Sequence, residues 1–245
     1  MAHSVMNSTV ASLPTHSAAA SVDDLQLLEQ QKQQLRRQMR HLRRSLSAQQ
    51  QRHAARSLVR RMAAHPAFIS SKHLALYLSN DGEIDPRPLI HKAWSMHKHV
   101  YLPVLHPLND HRMLFQHYTA DTPMVRNRFG IEEPRFDVSA QRPAWTLDLI
   151  CMPLVAFDAG GNRLGMGGGF YDRAFAFLHR GYLSTRMIGL AHQGQEVPQL
   201  PVASWDIPLQ GIMTDGGWCP ASGTGDTADT QTAPSGMSNG IKQKS

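Results

Sequence analysis

The sequence predicts an α/β fold in which a largely parallel sheet is covered by helices on both faces. Short apolar runs of strand length alternate along the chain with longer segments of helical periodicity, and a glycine-rich loop follows one of the runs. Alternating strands and helices are typical of parallel sheets, which bind ligands at the carboxyl ends of their strands. We therefore expect one layered domain with its binding site beside this loop.

The composition fits a single globular domain with polar ends. The chain has 245 residues, of which 41% are hydrophobic and 18% are charged. Residues 1–21 are small and polar without periodicity, and residues 216–245 have almost no large apolar side chains. Such segments cannot bury enough apolar surface to fold, so we expect disordered tails around a folded domain of residues 22–215.

The sequence favours a cytoplasmic monomer. Cys151 and Cys219 have neither disulfide nor zinc spacing, which weakly favours a reducing compartment. No apolar run reaches the length of a membrane span, and the N-terminus lacks the basic and apolar regions of a secretory signal. The fourteen histidines show no metal-binding spacing, and we assign none of them to catalysis.

Positive charge is concentrated in one part of the chain. The formal net charge is +6, and no Asp or Glu occurs between Gln30 and Asn80, where many lysines and arginines fall. Such a distribution suits either a nucleic acid or an anionic small molecule such as a nucleotide. Both classes of ligand therefore stay open on charge alone.

Two helices are predicted in this basic region. Asp23 or Asp24 can cap the first, whose apolar residues are spaced by three, four and seven: Leu25, Leu28, Leu35, Met39 and Leu42. Ser47 to Gln50 resembles a capping box that starts the second helix, which Pro66 ends.

Six strands are predicted beyond Pro66. They are residues 73–78, 99–104, 113–118, 148–152, 187–191 and 210–214. Asp85-Pro86 is typical of a helix start and predicts a helix to about His97, and a further helix is predicted from about Tyr171 to His179.

The glycine-rich loop is the most informative segment for function. Four of the five residues from 165 to 169 are glycine, so the backbone can approach a ligand and turn its N–H groups toward it. The start of the following helix favours phosphate, and Arg163 and Arg173 can add charged hydrogen bonds. Asp172 is well placed to hold a hydrated Mg²⁺ against phosphates.

The spacing excludes two familiar phosphate-binding motifs. No Gly-Lys-Ser/Thr follows the loop, and Phe170 stands where a dinucleotide fingerprint counted from Gly165 needs its third glycine. On glycine content alone, a flexible surface loop with a capped helix stays an equal alternative. A phosphate-binding loop of another kind is the functional alternative.

The segment from Phe157 to Arg173 closely resembles the signature of the 5-formyltetrahydrofolate cyclo-ligases. That signature reads roughly Phe-Asp-x-x-Gly-x-Arg-Leu-Gly-Arg-Gly-x-Gly-Tyr-Tyr-Asp-Arg, and only Met166 and Phe170 depart from it. The resemblance implies catalytic roles for Arg163 and Tyr171 and folate contacts from Met166 and Phe170. It also implies ATP contacts from Arg163, Leu164, Gly165, Gly167, Gly168, Gly169, Phe170 and Tyr171.

The resemblance covers about residues 28–215 and implies further site residues. Lys32 and Arg36, in the segment Lys-Gln-Gln-Leu-Arg, lie one helical turn apart and would reach the ATP phosphates. Leu78 and Glu83 would contact folate, and Asp206 would support the Mg²⁺ of Asp172. For the other basic residues, including Arg43, Arg44, Arg60 and Arg61, we expect a solvated basic face.

The family resemblance implies a Rossmann-like fold similar to sugar-phosphate isomerases and CoA transferases. It implies that ATP activates the formyl oxygen of 5-formyltetrahydrofolate so that N10 closes the 5,10-methenyl ring. A turn with the pattern Gly-Ile-x-Glu-Pro at residues 130–134 also matches, without a clear role. Two alternatives stay open: a basic RNA-binding protein, and an enzyme of this fold acting on a sugar phosphate.

Overall fold

The computed structural model describes residues 22–109, 112–176, 185–201 and 209–222. Its helices are α1 (Val22–Ser45), α2 (Ala48–Ala64), α3 (Pro66–Ser70), α4 (Arg87–Ser95) and α5 (Phe170–Ala174). Its strands are β1 (His73–Ala75), β2 (His99–Leu105), β3 (Met113–Tyr118), β4 (Met124–Arg126), β5 (Glu132–Pro134), β6 (Gln141–Arg142), β7 (Leu149–Pro153), β8 (Ala156–Phe157), β9 (Arg163–Leu164), β10 (Arg186–Ala191), β11 (Gly211–Thr214) and β12 (Trp218–Pro220).

An eight-stranded sheet forms the centre of the fold. Its order is β12-β11-β10-β7-β1-β2-β3-β6. The strands from β11 to β2 pair in parallel, whereas β12 at one edge and β3 and β6 at the other join by antiparallel pairing. This confirms the predicted α/β fold with a largely parallel sheet.

The central strands bury both of their faces, as parallel strands usually do. Along β7, Leu149 and Cys151 pack into one core cluster, whereas Ile150 and Met152 pack into the other. This alternation follows from the two-residue period of a strand. The strand sequences are continuous apolar runs because successive side chains point to opposite faces of the sheet and both faces are buried.

Helices cover the sheet on both faces. On one face, α2 and α4 contribute Leu58 and Leu89 to the core cluster that contains Leu149. On the other face, the core includes Phe115 and Phe175, which stack with ring centroids 5.7 Å apart. The predicted layered arrangement is therefore present.

The predicted capping box starts α2. Gln50 N donates to Ser47 Oγ at 3.3 Å, and Ser47 N donates to Gln50 Oε1 at 2.8 Å. The apolar stripe of α1 packs elsewhere, with Leu35 and Met39 against a small core at the β8–β9 hairpin. This packing places α1 across the end of the sheet, next to the glycine-rich loop.

The structure corrects several predicted boundaries. β1 ends at Ala75 rather than at residue 78, and β12 forms a strand in the segment assigned to the C-terminal tail. The predicted tail start at residue 216 is therefore wrong, because β12 pairs with β11 and extends the folded part. Residues 1–21 and 223–245 lie outside the described residues.

The helix after the glycine-rich loop begins one residue earlier than predicted. The described helix α5 spans five residues, and residues 177–184, which include the predicted end at His179, lie outside the described part. The small β4–β5 and β8–β9 hairpins were not predicted, because two- and three-residue strands leave little periodicity to detect. None of the helices in the described segments is long and apolar enough to span a membrane.

Candidate active site

The candidate site lies at the carboxyl ends of β1 and β7, which are neighbouring parallel strands. β1 leads into the turn of residues 78–85, and β7 leads through the β8–β9 hairpin into the glycine-rich loop of residues 165–169. Because parallel strands end at the same edge of a sheet, the turn and the loop come together there. α1 hydrogen-bonds to both, through Arg36 to the loop and through Arg43 to the turn.

Two arginines hold the glycine-rich loop by its carbonyl oxygens. Arg36 Nε donates to Gly165 O at 3.0 Å, and Arg173 Nη2 donates to Gly168 O at 2.6 Å. No backbone N–H of residues 165–168 donates to an acceptor within the described segments, and these residues are exposed. The loop therefore offers free N–H donors flanked by two positive charges, which is a suitable arrangement for phosphate.

Glycine is required at two positions of the loop. Gly167 has φ +95°, and a Cβ there would lie 3.4 Å from Arg36 Cζ. Gly169 has φ +61°, and a Cβ there would lie 2.7 Å from Arg173 Nη1. A side chain at either position would strain the backbone, and at Gly169 it would also displace the Arg173 guanidinium.

Lys32 and Arg36, predicted to bind the nucleotide, lie on α1 beside this loop. Lys32 is 9% exposed, and the Arg36 side chain is 16% exposed. Arg36 Nη1 also pairs with Glu29 Oε1 at 2.8 Å. Because positions i and i+4 share one helix face, both cations are on the side of α1 that faces the protein.

Arg163 and Asp172 form an ion pair across the glycine-rich loop. Arg163 Nη2 donates to Asp172 Oδ1, and the Arg163 and Asp172 side chains are 6% and 34% exposed. The pair joins the residue before the glycines to the first turn of α5. Two residues that the sequence assigned to different roles, catalysis and metal binding, are therefore in direct contact.

The Asp172 carboxylate is suited to bind a magnesium ion that is coordinated mainly by phosphate oxygens and water. Its Oδ2 accepts no hydrogen bond within the described segments, and it is partly exposed. Mg²⁺ keeps several waters and needs only one or two carboxylates when phosphates complete its shell. No group of three or more potential metal ligands occurs in the part of the chain that the structure describes, and Asp206 lies outside it.

The turn after β1 is built around Asp81. Asp81 and Gly82 both have left-handed backbones, with φ +53° and +76°. The Asp81 carboxylate accepts hydrogen bonds from Arg40 Nε at 2.7 Å, from Arg43 Nη2 at 2.6 Å and from Arg44 Nε. Burial alone would raise the pKa of Asp81, but these three arginines outweigh it and hold the pKa at about 2.

Glu83, predicted to contact folate, lies in the same turn with its carboxylate nearly buried. Its side chain is 12% exposed, Oε2 accepts from Asn80 N at 3.0 Å, and Oε1 lies 3.8 Å from Arg43 Nη1. Burial raises the pKa of Glu83 to about 7, and the negative charge of Asp81 acts in the same direction. The Asn80 N–H and the Arg43 charge oppose this shift.

Tyr171, assigned a catalytic role by the resemblance, lies within electrostatic range of Glu83. Burial, and then the charge of Glu83, raise the pKa of Tyr171 above its ordinary value, whereas Arg163 lowers it. The Tyr171 hydroxyl is therefore neutral at physiological pH and can donate a hydrogen bond. The structure thus brings Glu83, Tyr171 and Arg163 into one site.

The remaining predicted site residues differ in how much of their side chains a ligand can reach. Met166 is 50% exposed, and its Sδ lies 3.7 Å from Arg43 Nη2. Leu78 and Phe170 are half-buried against the two core clusters. Leu164 is 4% exposed and belongs to the small core under α1, so only its backbone faces the loop.

Arg43 is the residue that sequence reasoning missed. A solvated basic face was expected there, but the Arg43 side chain is fully buried and bonded to the turn. Arg44 and Arg60 are exposed, as a solvated face requires, although Arg44 also pairs with Asp81. Arg61 is only partly exposed and donates to Asp215 O at 3.1 Å. Asp81 is the first acid after the acid-free stretch, which is a signal that Arg43 and Arg44 find their partner there.

The turn matching Gly-Ile-x-Glu-Pro has a structural role in the β4–β5 hairpin. Glu133 Oε2 accepts from Leu105 N at 3.2 Å and from Asn127 Nδ2 at 3.0 Å, which fastens the hairpin to β2. Phe129 at the hairpin tip is 55% exposed, and its ring centroid lies 6.0 Å from that of Phe170. The hairpin thus forms a wall beside the glycine-rich loop.

The chain is similar to characterised proteins over nearly the whole described fold. The family model described as "5-formyltetrahydrofolate cyclo-ligase family" matches residues 28–215. The 5-formyltetrahydrofolate cyclo-ligase of Haemophilus influenzae is 45% identical over 185 residues, covering 75% of this chain and 97% of the relative. That of Escherichia coli K12 is 43% identical over 176 residues, covering 72% and 96%.

A solved structure shows the same fold. The NMR structure of Aquifex aeolicus 5,10-methenyltetrahydrofolate synthetase matches with a TM-score of 0.67 and 27% identity, covering 82% of this chain and 97% of that chain. The chain belongs to the 5-formyltetrahydrofolate cyclo-ligase family.

Proposed function

We propose that this enzyme converts 5-formyltetrahydrofolate to 5,10-methenyltetrahydrofolate, with ATP consumed and ADP and phosphate released. One observation supports the proposal: a glycine-rich loop with free backbone N–H groups and a turn with a nearly buried carboxylate meet at one edge of the sheet. The names of the relatives support the substrate and product. We further propose that the protein acts as a monomer in the cytoplasm.

ATP would bind at the glycine-rich loop. The N–H groups of residues 165–168 are free to donate to phosphate oxygens, and Arg36 holds the loop from α1. Lys32, Arg36 and Arg163 would supply the positive charge, with further contacts from Gly169, Phe170, Tyr171 and the backbone of Leu164. Charged hydrogen bonds to phosphate are among the strongest available to a protein.

The pterin would bind at the turn after β1. A carboxylate such as Glu83 can accept two parallel hydrogen bonds from the 2-amino group and the ring N–H of a pterin. Leu78, Met166 and Phe170 would contact the ring on its apolar faces. The low exposure of Glu83 supports this role, because a nearly buried carboxylate gains most from a partner that donates two bonds.

Mg²⁺ would bind between the ATP phosphates and Asp172, with Asp206 as a second carboxylate. When bound, Mg²⁺ neutralises phosphate charge during phosphoryl transfer. Arg163 would keep the Asp172 carboxylate in place through the ion pair described above.

The reaction needs orientation more than a protein nucleophile. The formyl oxygen attacks the γ-phosphorus of ATP, which breaks the bond to the β-phosphate oxygen and releases ADP. N10 then attacks the activated formyl carbon and gives up its proton to water, and the C–O bond breaks to release inorganic phosphate as the ring closes. The second step is intramolecular, so side chains that hold the substrate in place lower its barrier. Tyr171 and Arg163 would stabilise the charge that develops on the transferred phosphoryl group.

The two alternative functions have less support. The RNA-binding alternative uses the basic residues of both α1 and α2. Most arginines of α1 are engaged within the protein, by Asp81 and by the glycine-rich loop, whereas Arg52, Arg56 and Arg60 on α2 are exposed. An enzyme acting on a sugar phosphate would leave the Glu83 carboxylate without a pterin to bind. Family membership also favours the folate reaction.

The decisive assay measures the absorbance of the methenyl product. The purified chain is mixed with 5-formyltetrahydrofolate, and ATP or Mg²⁺ is omitted in turn. We expect product only when ATP is present, and a strong dependence on Mg²⁺. Absence of product with all components, or RNA binding with a steep salt dependence together with no folate-dependent ATP hydrolysis, would refute the proposal.

A further inference from the structure

Arg43 links three segments of the site from a fully buried position. It lies in the last turn of α1, and its side chain is 0% exposed. Its Nε donates to Asp81 O at 2.7 Å, and its Nη1 donates to Leu154 O at 3.2 Å, just after β7. Arg43 therefore fixes the turn after β1 to the end of the neighbouring strand.

The contact between α1 and the turn is close and is supported from several sides. A Cβ at Gly82 would lie 2.8 Å from Arg43 O, so only glycine fits there. Gln51 Nε2 donates to both Arg43 O and Gly82 O, at 3.1 and 3.2 Å, and His192 Nε2 lies 3.2 Å from Gly82 O. The geometry of the turn is thus set by its neighbours and not by its own sequence alone.

Arg43 also approaches Glu83 in a way that its neighbours do not. Its Nη1 lies 3.8 Å from Glu83 Oε1, beyond hydrogen-bond distance but within ion-pair distance. Among the described residues, no other arginine pairs with Glu83, whereas Arg40 and Arg44 pair only with Asp81 within this turn. Both sides of the Glu83 carboxylate are thus defined, by Arg43 and by Asn80 N.

We propose that Arg43 is a positioning residue of the folate site, which orients the Glu83 carboxylate toward the pterin and favours its ionised form. This inference rests on the proposed function, in which Glu83 receives the pterin. Arg43 need not contact the substrate, because it acts through the turn and through the charge of Glu83. Its burial supports this role, because a buried guanidinium is retained only where charged and polar partners compensate its desolvation.

The groups that face Glu83 define what the loss of Arg43 would do. Asp81 in the same turn raises the pKa of Glu83, and Tyr77 and Tyr171 are neutral at physiological pH. Burial and the charge of Arg43 lower the pKa of His192, so it adds no strong positive charge. Without Arg43, the Glu83 carboxylate would lose the cation that opposes its protonation.

The test compares Arg43→Gln with Arg44→Gln, which removes a cation that pairs with Asp81 but not with Glu83. Circular dichroism and thermal melting first establish that both variants fold. For Arg43→Gln we expect the folate KM at pH 7 to rise at least about tenfold and the ATP KM to stay within about twofold. We also expect the acid limb of the kcat/KM profile for folate to move up by about one pH unit or more. Arg44→Gln should leave both quantities close to wild type.

Arg43→Lys separates the effect of charge from that of geometry. Lysine keeps a positive charge but cannot reproduce the guanidinium contacts. We expect its acid limb to match wild type and its folate KM to rise severalfold. If Arg43→Gln does not fold, this variant decides, because a folate KM equal to that of wild type would overturn the proposal.

The outcomes distinguish this inference from the proposed function. Wild-type chain that forms no methenyl product refutes the proposed function itself. If the wild type is active but Arg43→Gln and Arg44→Gln have the same acid limb, only the positioning role is overturned. The same holds if the folate KM and the ATP KM of Arg43→Gln rise in parallel. Either result would make Arg43 a purely structural residue.

Discussion

The replacement of Arg36 by alanine tests the proposed ATP site most directly. The Arg36 guanidinium is 16% exposed and donates to Gly165 O at 3.0 Å. Alanine removes this hydrogen bond and the charge beside the free N–H groups of the loop. We expect the KM for ATP to rise much more than the KM for folate, because no hydrogen bond or ion pair between described residues joins Arg36 to the turn that holds Glu83.

The size of the effect follows from the number of charged contacts that are lost. A hydrogen bond to a charged group contributes on the order of 1.5–3 kcal/mol, which corresponds to roughly ten- to over a hundredfold in affinity. One phosphate contact of Arg36 therefore predicts an ATP KM raised within that range. Arg36→Lys keeps the charge but loses the forked geometry, so we expect an intermediate increase.

The assay is the initial rate of methenyl product formation at varied ATP and saturating folate. Arg37→Ala is the matched control, because Arg37 is the next residue on the same helix and is exposed. We expect Arg37→Ala to behave as wild type. An ATP KM for Arg36→Ala within twofold of wild type, or an equal increase in Arg37→Ala, would show that α1 provides only a general basic surface.

Three further predictions concern the metal, the chain end and the turn. Asp172→Asn should abolish turnover while the chain still folds, because the charge that balances Mg²⁺ is removed; full activity at limiting Mg²⁺ would mean that Asp172 serves only its ion pair with Arg163. A chain ending at residue 216 should melt several degrees below one ending at residue 222, because it lacks β12, whose Trp218 ring lies 4.5 Å from the His65 ring; equal melting temperatures would contradict this. Asp81→Asn should cost about 2 kcal/mol of unfolding free energy at pH 7, from a pKa of about 2 against 3.8. Because the pKa of Asp81 is depressed, its contribution to the unfolding free energy is present above about pH 4 and is lost as the pH falls toward 2. The difference in unfolding free energy between Asp81→Asn and wild type, measured in urea, should therefore shrink by roughly half at pH 3. A difference independent of pH would refute the ionic account.

Local sequence features predicted the elements of the fold well. Buried strands in this sheet are continuous apolar runs because both of their faces are covered, so β2, β3, β7 and β10 were found within about one residue. The capping box of α2 was also found, because its two hydrogen bonds connect residues only three apart. β12 was missed because three residues among glycine, proline and serine carry no periodic signal.

The candidate site was predicted in part. Features set by neighbouring residues in the sequence were found, whereas contacts between residues far apart in the sequence were not. The glycine-rich loop, Lys32 and Arg36 form local patterns, and the resemblance of the turn after the first predicted strand to that of the family pointed to Leu78 and Glu83. The contacts between them are not local: Arg43 and Asp81 are separated by 38 positions, and Arg43 and Leu154 by 111. Spacing along the chain cannot reveal such contacts.

The sequence by itself determined the α/β class, the position of the glycine-rich loop and the resemblance to a folate enzyme family. Only the tertiary structure decided which arginines of α1 are structural and which face the loop. The physical reason is that a run of arginines has the same sequence pattern whether its charges are solvated or paired with distant carboxylates. Burial distinguishes the two cases. The Arg43 side chain is fully buried, and the carboxylates of Asp81 and Glu83 stabilise its charge in place of water.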